Sequence, residues 1–333
     1  MATAKKEQSK INGTDGRYHR QELVIGSVGQ KKLQKACVGI VGGGALGTVA
    51  AELLARAGVG GLNIVDRDVI ELSNLQRQVL FCEEDVGKSK AETIKKRLLD
   101  VNSDVRVVAH AMHLNSGNIS LLQKCDVIID ATDNLNTRFL INDFARKNKI
   151  PWIYGAALRD QGFVMPIVPG GACLSCFLKP AQLETCDLAG VLGTATMMVA
   201  TLQVQFAMQI LIGMKVESVL KKINLRDGSI ATLAVKKSAT CKTCCGEYEY
   251  LNSKTEGVVQ FCSTGRFQIP AGVGWKSSQF EILKKKWSMY AGFSFDEVAI
   301  HLPSISLFRD GRALVKAKTK EEAISVYAKL VGN

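Results

Sequence analysis

A glycine cluster at positions 42–47, with the sequence GGGALG, follows the apolar run 37–41 and begins a segment of helical periodicity. This G-x-G-x-x-G pattern between a strand and a helix lets the backbone approach a phosphate, and the helix N-terminus adds free N–H groups. Asp66 stands about 20 residues further on, at the end of a second β-branched run, where its carboxylate can accept hydrogen bonds from a ribose. Together these features predict a bound nucleotide, whereas the glycines alone fit a tight turn between packed elements.

Basic side chains follow Asp66 and bear on which nucleotide is bound. Arg67, Arg77 and Lys90 lie along the segment 66–90. Cations around a nucleotide pocket fit a triphosphate, whose charge must be held and whose transition state must be neutralised. Two alternatives stay open: a solvated charged surface, and an NAD-dependent oxidoreductase that uses the same glycine motif.

Two carboxylates, Asp130 and Asp133, stand at and just past the end of another predicted strand, 126–130. Ligands of open α/β sheets bind beyond the carboxyl ends of the strands. Because a bound triphosphate requires Mg²⁺, and Mg²⁺ prefers carboxylate ligands, either side chain is a candidate to hold the metal.

Two C-x-x-C pairs stand far apart in the chain, at Cys173 and Cys176 and at Cys241 and Cys244. Each pair can offer two thiolates to one metal, and four thiolates form a structural zinc site. Because Cys245 adjoins the second pair, spacing alone leaves open whether Cys244 or Cys245 is the ligand. A thioredoxin-like redox pair is the alternative, but neither pair opens a helix after a strand in the expected way.

Cys186 lies in the polar segment 184–191, between the first pair and a long uncharged stretch. A thiol there is either a nucleophile that forms a covalent intermediate or an idle cysteine. The other four of the ten cysteines fall in or beside apolar runs and are predicted to be core residues: Cys37, Cys82, Cys125 and Cys262.

Strand and helix patterns alternate from residue 36 to about 151. This alternation predicts a largely parallel sheet covered on both faces, a doubly wound, Rossmann-like α/β fold. The stretch 188–214 contains no charged residue and is long enough to cross a bilayer. Glutamines and threonines interrupt it, so a buried helix of a soluble domain is the favoured interpretation, and no membrane association is expected.

The pattern changes after residue 251, where a β-α-β-β-β-α order with a hairpin at Asp310 and Gly311 predicts a small α+β domain over 257–333. The polar residues 1–16 are predicted to be a flexible tail, without the apolar core of a signal peptide. The main domain is therefore expected at 17–251. The many cysteines predict a cytoplasmic location, because that reducing compartment keeps thiols free.

The 333 residues are 47% hydrophobic and carry a formal net charge of +12, which excludes a disordered chain and predicts attraction to something anionic. The basic residues divide between the nucleotide segment and the C-terminal domain, so nucleic acid is not the expected partner. The lysines at 284–286 and 316–320 suit either an acidic partner or a solvated surface.

The order of these motifs resembles that of the MoeB/ThiF/HesA family of ubiquitin-activating-type adenylyltransferases. The resemblance spans about 16–251 and includes the glycine cluster. The other segments that carry it are 17–21 (RYHRQ), 66–68 (DRD), 73–78 (SNLQRQ), 130–134 (DATDN) and 154–157 (YGAA).

This resemblance implies an enzyme that uses ATP to adenylylate the C-terminal Gly-Gly carboxylate of a ubiquitin-like or sulfur-carrier protein, with release of pyrophosphate. It also implies a homodimer in which Arg20 reaches the ATP of the partner subunit, and a Mg²⁺ ion held by Asp133. The residues implied to face or bind the nucleotide are Gly42, Gly44, Gly47, Asp66, Asn74, Arg77, Lys90 and Asp133. The implied catalytic residues are Arg20, Arg77, Asp133 and Cys186.

The resemblance also bears on the cysteines. Family members have a zinc site of four thiolates far from the ATP, which supports Cys244 over Cys245 as the fourth ligand. Cys186 matches the position at which members that perform covalent chemistry keep a nucleophile. The activated carrier then passes either to sulfur incorporation or to protein conjugation, with a sulfur donor or a conjugating enzyme as a further partner.

Overall fold

The computed structural model describes residues 16–179, 190–252, 259–261, 266–271, 275–296 and 298–332, and its strands form two sheets. The larger sheet has eight strands in the order β3-β2-β1-β4-β5-β6-β7-β8, of which the first five are parallel. The remaining strands pair antiparallel. Their bounds are β1 Cys37–Val41, β2 Gly61–Val65, β3 Arg106–His110, β4 Val127–Asp130, β5 Trp152–Leu158, β6 Gln161–Ile167, β7 Val219–Asn224 and β8 Ser229–Ala234.

Helices cover both faces of this sheet, which confirms the predicted doubly wound fold. Successive residues of one strand face different apolar clusters: Ile40 packs with helices α2, α3 and α5, whereas Val41 packs with α4. Buried parallel strands need such cover on both sides. The helices are α1 His19–Lys35, α2 Ala45–Arg56, α3 Lys90–Val101, α4 Leu135–Asn148, α5 Gly193–Ile212 and the short α6 Glu249–Asn252.

The uncharged stretch forms α5, a helix with one buried and one exposed face. Within the described residues, α5 alone has the length and apolar composition of a membrane span, and 39% of its most apolar window is buried. Its inward face includes Gln203, whose side-chain amide donates to the carbonyl oxygens of Asp130 at 2.6 Å and Ile153 at 3.1 Å. Met197 and Met198 are partly exposed on the outward face. The helix is thus bound to the sheet by buried polar contacts as well as apolar ones.

The second sheet is antiparallel and contains six strands in the order β11-β12-β13-β14-β10-β9. The predicted hairpin at Asp310 and Gly311 joins β13 and β14, and Gly311 has a φ of 87°, which favours glycine. The two-residue strand β11 was not predicted, since so short a segment has no detectable alternation. The strands of the second sheet are β9 Val259–Phe261, β10 Arg266–Ile269, β11 Ser294–Phe295, β12 Ala299–Leu302, β13 Ile305–Phe308 and β14 Ala313–Lys316. Its two helices are α7 Ser277–Trp287 and α8 Lys320–Leu330.

Two apolar clusters pack on the two faces of the second sheet. Phe280 and Trp287 of α7 and Tyr327 of α8 pack on one face of the sheet. The other face contributes Phe308 and Leu314 to a small cluster with Val69 of the larger unit. We call β9–β14 with α7 and α8 the C-terminal unit.

Some sequence predictions fall outside the described residues. Most of the tail 1–16, the junction before residue 257, Cys186 and Cys262 are among them. They remain predictions.

Candidate nucleotide site and cysteine cluster

A cavity of about 530 Å³ opens at the carboxyl ends of β1, β2 and β4, where the strand order reverses. The chain leaves β1 toward β2 on one side and β4 lies on the other, so the loops after these strands diverge and leave a crevice. Seven of the residues predicted to bind nucleotide or metal line it: Gly42, Gly44, Asp66, Asn74, Arg77, Lys90 and Asp133.

The glycine cluster turns from β1 into α2 at the base of this cavity. Gly42 has a φ of 99°, and a Cβ atom there would collide with the carbonyl oxygen of Ala131. Gly44 faces the cavity, and an added Cβ would have no neighbour closer than 3.8 Å, so its backbone is open to a ligand. Gly47 differs from the prediction that it faces the nucleotide: it is buried under the carbonyl of Gly42, and its small size serves helix–loop packing.

Asp66 connects the glycine cluster to the end of β2. One carboxylate oxygen accepts the N–H of Gly43 at 2.5 Å and the other accepts the N–H of Asp68 at 2.7 Å. Burial, together with the charge of Asp68, raises the pKa of Asp66 above its usual value. The side chain therefore shapes the loop as well as offering oxygens to a ribose.

Lys90, at the first turn of α3, is a buried cation that lines the cavity. Its ammonium lies 3.5 Å from the carboxylate of Asp68. Although burial alone would lower the pKa of Lys90, the carboxylates of Asp68, Asp66 and Asp133 outweigh burial and raise it above its usual value. Lys90 is therefore a fixed positive charge, suited to a phosphate group.

Three further polar side chains of the cavity come from the loop after β2. Asn74 is buried, and its side-chain oxygen accepts the N–H of Glu71 at 3.2 Å. Arg77 is held by the carbonyl of Ser73 at 2.9 Å. The buried amide oxygen of Gln78 has no hydrogen-bond partner, which leaves one polar atom at the cavity for a ligand.

Asp130 and Asp133 have different environments, and the difference separates the two metal candidates. Asp130 is fully buried and forms an ion pair with Arg138 at 3.1 Å. Burial raises the pKa of Asp130. Asp133 is exposed and lines the cavity, so it is the carboxylate of the pair that a Mg²⁺ ion on a bound triphosphate could reach.

Arg138 and His113 line the cavity but were not predicted from the sequence. The Arg138 guanidinium donates to the carbonyl oxygen of Gly155 at 3.0 Å and also to that of Thr132, which holds together the loops around the site. His113, after β3, lies 2.9 Å from a guanidinium nitrogen of Arg67. Burial, with Arg67 and Arg312, lowers the pKa of His113 to about 3, so the ring is neutral near pH 7. Neither residue belongs to a motif that spacing could reveal.

Arg20 lies on α1, exposed to solvent and apart from the residues that line the cavity of its own chain. The prediction that it serves the ATP of a partner subunit stays a prediction.

The two C-x-x-C pairs meet at a second site, on the face of the sheet covered by α4. The sulfur atoms of Cys173, Cys176, Cys241 and Cys244 lie within 4.8 Å of one another. Neighbouring Sγ–Sγ distances are 3.5 to 3.8 Å. Thiolates bound at ~2.3 Å to a tetrahedral zinc ion lie about 3.8 Å apart, so the donor set and its spacing fit zinc.

Cys245 is turned away from this cluster. Its thiol contacts the carbonyl oxygen of Ala239 at 3.4 Å and is exposed. The geometry therefore favours Cys244 as the fourth member, the choice that spacing alone had left open.

Comparison with known proteins places this architecture in a family. Residues 18–244 match the ThiF family, a span that includes both the nucleotide cavity and the cysteine cluster. The chain belongs to the ThiF family.

Relatives of this ThiF-family chain are adenylyltransferases. It is 40% identical to the sulfur carrier protein ThiS adenylyltransferase of Bacillus subtilis, over 95% of this chain and 99% of that protein. It is 36% identical to a sulfur carrier protein adenylyltransferase of Thermus thermophilus, over 68% of this chain and 90% of that protein. Their names give the NAD-dependent alternative no support.

Solved structures agree on the fold. A crystal structure of E. coli MccB with ATP matches with a TM-score of 0.62 at 26% identity, over 69% of this chain and 75% of that chain. The match therefore concerns a ThiF-type core rather than the whole of either chain.

Proposed function

We propose that the protein uses Mg-ATP to adenylylate the C-terminal Gly-Gly carboxylate of a ubiquitin-fold sulfur carrier. The observation that carries this proposal is the cavity at the strand-order reversal, which is lined by Lys90, by Arg77 and by the exposed carboxylate of Asp133. Fixed cations opposite a metal-binding carboxylate suit a triphosphate. The alignment with a ThiS adenylyltransferase over nearly the whole chain favours sulfur incorporation over protein conjugation as the fate of the product.

The cavity residues suit a displacement that needs no general base. A carboxylate oxygen of the carrier attacks the α-phosphorus, the bond to the oxygen that bridges the α- and β-phosphates breaks, and pyrophosphate leaves. Lys90 and Arg77 would bind the phosphates, and Asp66 would fix the ribose. Mg²⁺, when bound at Asp133, offsets the negative charge of the phosphate groups. The attacking carboxylate is ionised at neutral pH, so positioning and charge stabilisation account for the catalysis.

ATP–pyrophosphate exchange tests the proposal. We expect exchange with a purified ThiS-like carrier that ends in Gly-Gly, and background exchange with the same carrier lacking its last glycine. Mass spectrometry of the carrier after incubation with ATP and a sulfur donor should show a thiocarboxylate on the released carrier, whereas transfer of the carrier to a conjugating enzyme without a thiocarboxylate would indicate conjugation. Saturable NAD binding without exchange would refute the adenylyltransferase assignment.

Cys186 is proposed as the thiol that receives the activated carrier. Its side chain lies outside the described residues, but Gly190 and Val191, which follow it closely in sequence, line the nucleotide cavity. The thiolate would attack the acyl carbon of the adenylate, the bond to the AMP oxygen would break, and AMP would leave.

Replacement of Cys186 by Ala should separate the two steps. We expect Cys186→Ala to retain exchange within about twofold, because adenylylation precedes the thiol step, and to lose the thiol-sensitive adduct seen by mass spectrometry. Cys245→Ser, which removes an exposed thiol beside the cysteine cluster, is the control and should keep the adduct. Survival of the adduct in Cys186→Ala would assign the chemistry to a different cysteine or to none.

We also propose a homodimer. The exposed apolar side chains of α1, Leu23, Val24 and Val28, lie on the helix that carries Arg20, and α5, which packs beside α1, exposes two methionines. Exposed apolar surface of this extent supports an interface. Sedimentation equilibrium gives the oligomeric state, and a monomer at micromolar concentration would contradict the proposal.

The four thiols are proposed to hold a structural Zn²⁺ ion.

We further propose a cytoplasmic location, because thiolates survive unoxidised in a reducing compartment. Fractionation of cells that express the tagged protein would check the location.

A further inference from the structure

We propose that the C-terminal unit supports the nucleotide site and that Arg312 is its positioning residue. The inference rests on the proposed use of ATP. It assigns a role to a part of the chain that lies beyond the ThiF match, which ends at residue 244.

Arg312 directly precedes β14 in the C-terminal unit, and its side chain contacts the larger unit. Its side chain is buried, with 5% of the residue exposed. One terminal nitrogen donates to the carbonyl oxygen of Arg67 at 3.0 Å, and the other donates to the carbonyl oxygen of Ala111. The guanidinium lies 3.5 Å from the ring centroid of Phe308, and Asp310 accepts from Nε at 3.2 Å. Each of the three guanidinium nitrogens therefore donates one hydrogen bond.

The two carbonyls accepting from Arg312 belong to the loops after β2 and β3. Arg67 stands between Asp66 and Asp68, and Ala111 precedes His113; all four of Asp66, Arg67, Asp68 and His113 line the cavity. A planar guanidinium that bridges two carbonyls fixes their separation and orientation, whereas the rotatable ammonium of a lysine holds them less rigidly. Arg312 thus ties together two of the loops that shape the ribose side of the cavity.

Other contacts from the C-terminal unit fall on the same stretch of chain. The carboxylate of Asp296 accepts the N–H of Ser89, the residue before Lys90, at 2.9 Å. Arg266 forms an ion pair with Glu71 at 2.9 Å. Together with Arg312, these contacts span the segment 67–89, which also carries Asn74 and Arg77.

The charge of Arg312 also reaches the cavity. Burial raises the pKa of Asp68, but Lys90, Arg67 and Arg312 together lower it below its usual value. Asp68 therefore stays ionised beside Lys90, which keeps that ammonium oriented.

Relatives align with different shares of this chain. The Thermus thermophilus adenylyltransferase aligns over 90% of its own length with 68% of this chain, whereas the Bacillus subtilis protein aligns with 95% of it. Because the ThiF match ends at residue 244, we place the support from Arg312 outside the family's common core.

Steady-state exchange on the full-length chain tests the proposal. We expect Arg312→Ala to raise KM for ATP roughly tenfold while KM for the carrier changes less than about twofold, and Arg312→Lys to fall between the variant and the wild type. Arg309→Ala is the matched control, because it removes the same charge from the same hairpin, where Arg309 pairs with Glu281. An unchanged KM for ATP, or equal rises in both KM values, would overturn the proposal.

Amide hydrogen exchange separates this proposal from the proposed function. Without any nucleotide, the amides of residues 66–68 and 110–113 should lose protection from exchange in Arg312→Ala. The same amides should keep their protection in Arg309→Ala. Absence of ATP–pyrophosphate exchange in the wild type would refute the proposed function. The nucleotide-free hydrogen-exchange comparison would still test the role of Arg312. If Arg312→Ala does not fold, Arg312→Gln supplies both measurements, and unchanged protection in it would refute the support role.

Discussion

Asp133→Asn is expected to lower carrier-dependent ATP–pyrophosphate exchange by roughly 10²-fold or more. The substitution keeps the size of the side chain and removes its charge. Asp133 is exposed at the cavity, and the nearby cation Lys90 keeps the carboxylates of Asp68 and Asp66 when Asp133 is replaced, so folding should be little affected. The loss should therefore appear in activity and not in thermal stability.

Dependence on Mg²⁺ gives this prediction a second readout. If Asp133 holds the metal on ATP, the variant should need more Mg²⁺ for half-maximal exchange. Asp100→Asn is the matched control, since Asp100 is an exposed aspartate near the end of α3 that does not line the cavity. Unchanged exchange in Asp133→Asn would mean that the metal carboxylate has been misassigned.

Local sequence patterns predicted the parts of the site that depend on local geometry. Gly42 needs a positive φ, and its cluster, the strand before it and the helix after it are contiguous in sequence, so one short motif marks the phosphate loop. The C-x-x-C pairs are equally local, because two thiols of one turn point to the same metal. Even here the motif did not distinguish Gly44, which faces the cavity, from Gly47, which packs beneath it.

Contacts between distant residues could not be predicted in this way. Arg138 and Arg312 each bridge backbone carbonyls, and Arg312 lies more than 200 positions from both of its acceptors. Any buried arginine can meet such carbonyls, and no spacing identifies which ones. Hydrophobic periodicity also could not predict which face of α5 is buried. Apolar residues occur on every side of this helix, so its burial depends on what packs beside it.

The cysteine cluster should matter most for stability. Its two pairs join the segment after β6 to the segment after β8, 68 residues apart, and both segments are fastened to α4. Leu174 donates its N–H to the side chain of Asn142 at 3.0 Å, and the Thr243 hydroxyl donates to Asp143 at 2.9 Å. A metal at the cluster would therefore hold the base of the segment that leads to Cys186.

Cys173→Ser is expected to remove zinc from the protein and to destabilise it by more than about 3 kcal/mol, because zinc binding to four thiolates contributes directly to folding. For a domain of this size that corresponds to a fall of roughly 10 °C in Tm. Metal analysis should find one zinc ion per wild-type chain and a substoichiometric amount in the variant. A chelator should lower the Tm of the wild type toward that of the variant.

Cys245→Ser is the decisive control, because it removes a neighbouring thiol that points away from the cluster. It should keep its zinc and its Tm. If Cys245→Ser lost the metal while Cys244→Ser kept it, Cys245 would be the ligand and the loop at 241–245 would have to rotate. If Cys173→Ser kept a full zinc ion and the wild-type Tm, the zinc would be bound elsewhere and the four thiols would be packed side chains rather than metal ligands.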